Sequence, residues 1–259
     1  MKSEPAADMG ELLELLACPA CGGPLVSEPG RLRCSHCDRA FRLDGAVPVL
    51  LRGESENHPP SALARLHYAI LGNPRVFDIQ QALTGGRRVA ARVGAELGNF
   101  RGSTLLDIGA GTGVVAGLVP SATRYIWFDN DERKLSGFLS KRLDRHAVLG
   151  DAQHLPFRDR AVDWSVMVEV SHHLPDDVLQ AALREAARVT RDRFVLVDLL
   201  RGTTLRGRVL WQFDLGSFAR TQAELISALE AHFELERVEV FRVNHDHLIC
   251  VCIPKQAAP

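Results

Sequence analysis

The chain has 259 residues, 46% hydrophobic and 24% charged, the composition of an ordinary folded protein rather than of a disordered or collagen-like one. Its 31 Lys+Arg against 32 Asp+Glu leave a formal net charge of -1, which excludes a general polyanion binder with a global basic field. No apolar run reaches the roughly 18 residues that a spanning helix needs. The acidic Asp8 and Glu11 beside Leu12 to Ala17 are also wrong for a secretory leader, so a cytoplasmic protein without membrane association is expected.

The first feature along the chain is a cysteine module. Four of the 6 cysteines form two pairs, Cys18-Pro-Ala-Cys21 and Cys34-Ser-His-Cys37, with 12 residues between them. In a chain of this class such clustering reads as metal rather than disulfide. Two knuckles of this kind bring four thiolates to the corners of a tetrahedron, which is the closed geometry of structural zinc. Gly22 and Gly23 follow the first pair, where the backbone turns beside the sulfurs. His36 is an alternative fourth ligand, though the symmetry of the knuckles favours Cys37. So few apolar residues need the metal in order to fold.

Leu15 to Leu25, Leu32 to Cys37, Phe41 and Asp44 to Leu50 together resemble a zinc-ribbon family, the small activating subunit of several methyltransferases. The resemblance implies that the ribbon docks on a methyltransferase domain and stabilises it, here within one chain. The alternative is an RNA-docking ribbon, as in rRNA guanine methyltransferases that carry an N-terminal zinc site. Residues 1–60 hold 6 Lys+Arg against 9 Asp+Glu, a balance of -3 that argues against a phosphate-facing surface.

The polar, Pro-containing stretch from Gly53 to Ser61 has linker composition and puts a boundary between 56 and 57. Residues 1–56 form the ribbon and residues 57–259 the larger domain. Lead-in helices are expected over 57–100, one from Ala62 to Leu71 and a second from Pro74 towards Leu97 with a break at Gly85-Gly86.

Beyond Ser103, short apolar runs alternate with helical stretches: Thr104 to Ile108, Arg124 to Phe128, Ala147 to Leu149, Val162 to Val168 and Phe194 to Leu199. The rhythm predicts an α/β domain, a doubly wound and mostly parallel sheet, with a helix over Asp176 to Val189. Phe233 to Val243 and Leu248 to Ile253, joined by Asn244 to His247, predict a terminal antiparallel hairpin. Residues 101–200 would hold a cofactor, and 201–259 a substrate or lid region that includes Trp211, Phe213 and Phe218.

Leu105 to Ile108 run into Gly109-Ala110-Gly111-Thr112-Gly113, a strand entering a glycine-rich turn. Alternating glycines let a backbone approach a ligand whose space a Cβ would occupy. Asp129 ends the next strand, where a carboxylate can accept both ribose hydroxyls, and Asp151-Ala152 follows the third. Each acid has a plainer reading as a strand-end cap. The set Asp107, Gly109, Gly111, Gly113, Asp129 and Asp151 resembles the class I S-adenosylmethionine-dependent methyltransferases, with their Rossmann-like fold. That resemblance implies that the loop, with Ala110, approaches the methionine part of the cofactor and that Asp129 binds its ribose. Asp151, with Ala152 beside it, would meet the adenine, and Asp107 would orient the loop. Where the family often has Pro-Gly-Gly before the fifth strand, this chain has Thr190 to Arg193.

Glu169, His172 and His173 follow the fourth strand, at the end of an open sheet where ligands bind. This stretch resembles a signature of small-molecule methyltransferases. His173, or His172, is the candidate base, with Glu169 orienting an imidazole or lying near the cofactor. One helical turn would place Glu169 on the face of both histidines. A catalytic metal at these residues would need a further ligand from His245 to His247. Cys250 and Cys252 share one face of a strand and suit buried thiols. The chain is thus expected to methylate a small molecule. The alternatives are an rRNA or tRNA base methyltransferase and a non-catalytic cofactor-binding scaffold.

Overall fold

The computed structural model describes residues 9–51, 86–141, 144–201, 218–243 and 245–255. The boundary at 56/57, the first lead-in helix, Trp211 and Phe213 lie outside the described residues. No described helix is long and apolar enough to cross a membrane.

The front module opens with α1 (Met9–Leu15) and continues as an antiparallel sheet of β1 (Leu25–Glu28), β2 (Arg31–Cys34), β3 (Ala40–Asp44) and β4 (Val47–Pro48) in sequential order. The larger domain begins, among the described residues, with α2 (Gly86–Leu97). There follow β5 (Thr104–Ile108), β6 (Arg124–Asp129), α3 (Glu132–Leu139), β7 (His146–Leu149), β8 (Val162–Val168), α4 (Asp176–Val189) and β9 (Thr190–Leu199). α5 (Gln222–Glu230), β10 (Phe233–Arg242) and β11 (Asp246–Pro254) complete it. The sheet order is β10-β11-β9-β8-β5-β6-β7, with β5 to β9 parallel and the last hairpin antiparallel. Strand order reverses between β5 and β8, which is where an open α/β sheet forms its ligand crevice.

Period-two side chains build a core on each face. Leu106, Ile108, Ile126 and Phe128 meet α4 and α5 through Leu179, Leu183, Ala186, Leu225 and Leu229. Leu105, Tyr125 and Trp127 meet α2 and α3 through Val89, Val93, Leu135 and Phe138. No separate turn occupies Thr190 to Arg193: β9 starts at Thr190 directly after α4, because Thr190 is fully buried and its hydroxyl is 2.5 Å from that of Ser165.

The ribbon shares this core. Leu12, Leu16, Leu25, Leu32 and Phe41 join the cluster containing Phe128 and Phe157, while Val47 and Val49 join the opposite one beside Leu149. The chain after β4 runs parallel to β7, with Leu50 N–H donating to the Leu149 carbonyl at 2.7 Å. Ala17 N–H reaches the Pro156 carbonyl at 2.9 Å, and Arg158 N–H the Leu15 carbonyl at 2.9 Å. The expected docking of the ribbon on its own larger domain is therefore physical: it covers the edge of β7, whose backbone groups would otherwise be open to another chain.

Candidate functional site

The four cysteines meet as expected. One ligand atom from each of Cys18, Cys21, Cys34 and Cys37 lies within 4.8 Å of all the others, and no other group of this kind occurs among the described residues. The Cys18–Cys37 and Cys21–Cys34 sulfur separations are 3.8 and 3.5 Å. A tetrahedral ion with metal–sulfur bonds of about 2.3 Å requires about 3.8 Å, so the donor set fits zinc. Burial pushes the Cys34 thiol up, but the amide N–H groups of Cys37 and His36 aimed at its sulfur bring it down to about 6, which favours the ligating thiolate. A side chain at Gly23 would collide with His36 and press on the sulfurs of Cys34 and Cys21.

At the crevice, the glycine loop follows β5 with Gly109, Gly111 and Gly113 all at positive φ. The three do different work, which corrects the expectation that each leaves room for a ligand. A Cβ on Gly109 would enter Val170, and one on Gly113 would enter Phe138. Gly111 alone of the three faces open space, its nearest neighbour being the Gly109 carbonyl at 4.0 Å. Trp127 holds this half-buried turn by donating its indole N–H to the Gly111 carbonyl at 2.9 Å. Ala110 is buried, and its N–H, like that of Gly109, donates to the Phe128 carbonyl.

Asp129 is 4% exposed and already well used: Oδ2 accepts from Gly111 N–H at 2.9 Å, and Oδ1 from the N–H groups of Asn130 and Asp131. Lys134 Nζ stands 3.7 Å from Oδ2, an ion pair beyond hydrogen-bond length, and a carboxylate has about four acceptor sites, so capacity for one further donor remains. Asp151 is half-buried and caps the 3-10 turn Ala152–His154 by accepting from Gln153 N–H at 2.9 Å. Asp107 lies beneath the loop, with the Tyr125 hydroxyl donating to it at 2.5 Å. Burial pushes the Asp107 carboxyl up to about 7, against the lowering effect of Tyr125 and with the nearby charge of Asp129 adding to it.

Beyond β8, Ser171–His173 form a 3-10 turn. Glu169 precedes this turn with φ +55, so it does not extend the same helical face as the histidines, contrary to expectation. A non-glycine residue held there costs about 1–3 kcal/mol and is tolerated where the surroundings dictate it. The Glu169 N–H donates to the Val197 carbonyl, and Oε1 lies 3.4 Å from Nε2 of His247.

The two histidines separate by environment. His172 is 4% exposed, with Nδ1 2.5 Å from Oδ1 of Asp198, whereas His173 is exposed beside it with ring centroids 4.0 Å apart. Asp198 is fully buried and also accepts from the Ser171 hydroxyl and the Leu199 N–H. Burial pushes it up, but the His172 imidazole and these donors more than offset that and hold it at about 2. Arg220 clamps the turn from outside by donating to the carbonyls of Ser171 and Leu174 and pairing with Asp176. Although His247 reaches Glu169, these residues and the two histidines do not come together as a group that could hold a metal ion among the described residues.

Trp127, Tyr125, Val170, Asp198 and Arg220 also shape this site and are not among the residues expected from the sequence. Only Asp198, an acid inside an apolar strand, carried a sequence signal.

The chain is similar to two families. Residues 106–197 match the methyltransferase domain family, and residues 11–45 match the Trm112p-like protein family. Over the ribbon, a UPF0434 protein of Methylobacillus flagellatus is 37% identical across 51 residues, which is 19% of this chain and 85% of that protein. Its counterpart from Laribacter hongkongensis is 43% identical over 47 residues, 17% of this chain and 80% of that protein.

Among solved structures, a chain from the complex between the Haloferax volcanii Trm112 methyltransferase activator and its methyltransferase gives a TM-score of 0.56 at 17% identity. That match covers 71% of this chain and 97% of that one. Magnesium protoporphyrin IX methyltransferase of Synechocystis, solved with S-adenosylhomocysteine, gives 0.55 at 18% identity, with coverage of 66% and 84%.

Proposed function

We propose that the chain, whose residues 106–197 match the methyltransferase domain family and whose residues 11–45 match the Trm112p-like protein family, is an S-adenosylmethionine-dependent methyltransferase that methylates a small molecule at the carboxyl edge of β5 to β8. The observation that carries the reading is the open backbone at Gly111, flanked by Asp129 and facing the crevice where strand order reverses.

When bound there, S-adenosylmethionine supplies a methyl group on a sulfonium. The open backbone at Gly111 forms the cradle for its methionine part, with Gly109, Ala110 and Gly113 shaping the turn by packing beneath it, and the remaining acceptor site of Asp129 takes a ribose hydroxyl. Asp151 and Ala152 receive the adenine, and Asp107 beneath the loop adds negative charge opposite a cationic ligand. Methyl transfer is an in-line displacement, so the chain's task is alignment and removal of any proton from the acceptor. His173, the exposed ring, is the base. His172, locked on Asp198, sets the turn that presents it, and Glu169 lines the same edge. Zn2+ on the four cysteines holds the ribbon against β7.

A small acceptor is favoured over RNA because three ribbon arginines are occupied: Arg31 and Arg33 pair with Glu28, and Arg42 with Glu132 of α3. Such pairing leaves little free positive charge for a phosphate backbone.

Calorimetric titration with S-adenosylmethionine and with NAD, alongside a zinc determination, tests the reading. Micromolar binding of the first, none of the second and about one zinc per chain are expected. Failure of zinc-loaded, folded protein to bind S-adenosylmethionine would overturn it in favour of an interaction module.

A further inference from the structure

Trp127 stands two residues before Asp129 on β6, so the two side chains leave the strand on the same face. Trp127 is fully buried, and an indole N–H can only donate, so inside the protein it needs an acceptor. It finds one in the loop after β5, the Gly111 carbonyl at 2.9 Å. The Gly111 N–H, on the other side of the same α-carbon, is held by Oδ2 of Asp129 at 2.9 Å. Both peptide planes that flank Gly111 are therefore gripped from one strand.

Phe138 of α3 braces this grip. The Trp127 ring stacks on it, with centroids 5.7 Å apart and planes at 18°, and Phe138 also fills the space into which a Cβ on Gly113 would project. The neighbouring loop amides are committed elsewhere: the N–H groups of Gly109 and Ala110 donate to the Phe128 carbonyl, and that of Gly113 to the Ala110 carbonyl. Gly111, at φ +55 with open space beside it, would be the freest residue of the turn without its two bonds to β6. Oδ1 of Asp129 is fixed by the N–H groups of Asn130 and Asp131, so the Gly111 N–H decides where Oδ2 points. The competing charge is Lys134, whose Nζ lies 3.7 Å from Oδ2.

We propose that Trp127 is a positioning residue for the ribose of the cofactor: its indole N–H holds the Gly111 peptide so that Asp129 keeps its remaining acceptor site turned to a ribose hydroxyl. The proposal rests on the methyltransferase reading. Trp127 is enclosed beneath the loop and acts only through Gly111 and Asp129. Without the indole N–H, the peptide after Gly111 is free to rotate, the Gly111 N–H leaves Oδ2, and the carboxylate turns towards Lys134. The cofactor must then order the loop itself, and that ordering is subtracted from its affinity. The loss falls on ligands that carry ribose hydroxyls, because these are the groups that engage Asp129.

The test uses full-length, zinc-loaded protein and calorimetric titration with two probes, S-adenosylhomocysteine and its analogue lacking both ribose hydroxyls. Two replacements remove the N–H: Trp127→Phe, and a benzothiophene side chain at position 127, which keeps the shape of the indole and its stacking on Phe138. Wild type is expected to prefer S-adenosylhomocysteine over the analogue. In both variants the affinity for S-adenosylhomocysteine should fall about tenfold, the scale of one lost hydrogen bond, while that for the analogue stays within about twofold, so the preference shrinks. An equal fall for both probes, no fall for either, or a wild type indifferent to the ribose hydroxyls overturns the proposal and leaves Trp127 a packing residue. Absence of S-adenosylhomocysteine binding in the wild type would instead overturn the methyltransferase reading beneath it.

Discussion

His172 and Asp198 form a buried couple at the mouth of the crevice: Nδ1 lies 2.5 Å from Oδ1, and the side chains are 4% and 1% exposed. Removing one member leaves the other buried and uncompensated, which costs about 3–5 kcal/mol. Asp198→Ala is therefore expected to lower stability by about 3 kcal/mol or more, read from urea unfolding. Because the carboxyl is held at about 2, below its unfolded value of about 3.9, its contribution is full above that unfolded value. It is lost as pH falls through 2. An acid unfolding midpoint identical in Asp198→Asn and wild type would refute this role.

His173 is the contrasting case. It is exposed beside its buried neighbour, so His173→Ala should keep the melting temperature within about 2 °C, the range of an ordinary surface substitution. As the general base it should nevertheless cost roughly 10²–10⁴ in methyl-transfer rate. A variant that loses stability along with activity would assign His173 to the scaffold.

The glycines of the loop are expected to divide by readout. Gly109→Ala and Gly113→Ala drive a Cβ into Val170 and Phe138 and should lower the melting temperature. Gly111→Ala meets open space and only the strain of φ +55, so its loss should appear mainly as weaker binding of S-adenosylmethionine by calorimetry. Equal thermal losses at all three positions would contradict the division.

Asp107 gives a pH dependence of opposite sign to that of Asp198. Its folded-state value is raised to about 7, so its contribution to stability is full below the unfolded value of about 3.9 and is lost as pH rises through 7. Without ligand, Asp107→Asn should gain on wild type by on the order of 3 kcal/mol between pH 4 and pH 8, while binding the cationic cofactor less tightly. Parallel stability curves for the two proteins would show that Asp107 stays ionised throughout.

Stripping the metal with a chelator should release the ribbon from β7. The Leu50 to Leu149 hydrogen bond and the packing of Leu16, Leu25 and Phe41 depend on the knuckles remaining closed. A drop of roughly 10 °C or more in melting temperature is expected, reversed by zinc. A melt unchanged by complete metal removal would show that packing alone holds the module.

The sequence made the fold largely legible because its signals are local. β5, β8 and α4 fall on the residues that the apolar runs and the 3.6-residue period marked out, and the cysteine spacing alone brought four thiolates together. The candidate site was legible only in outline. That Gly109 and Gly113 serve packing depends on Val170 and Phe138, from other elements, and no spacing rule reports such contacts. Glu169 reaches His247 because β11 lies antiparallel beside β9, a register that hydrophobic pattern does not encode. The difference between His172 and His173 likewise comes from Asp198 on a neighbouring strand.

The most direct measurement is transfer of tritiated methyl from S-adenosylmethionine into a fractionated cell extract by wild type and by His173→Ala. Label is predicted in the small-molecule fraction, insensitive to ribonuclease and lost with His173→Ala. Label confined to RNA, or transfer undiminished by His173→Ala, would contradict the proposed chemistry at this crevice.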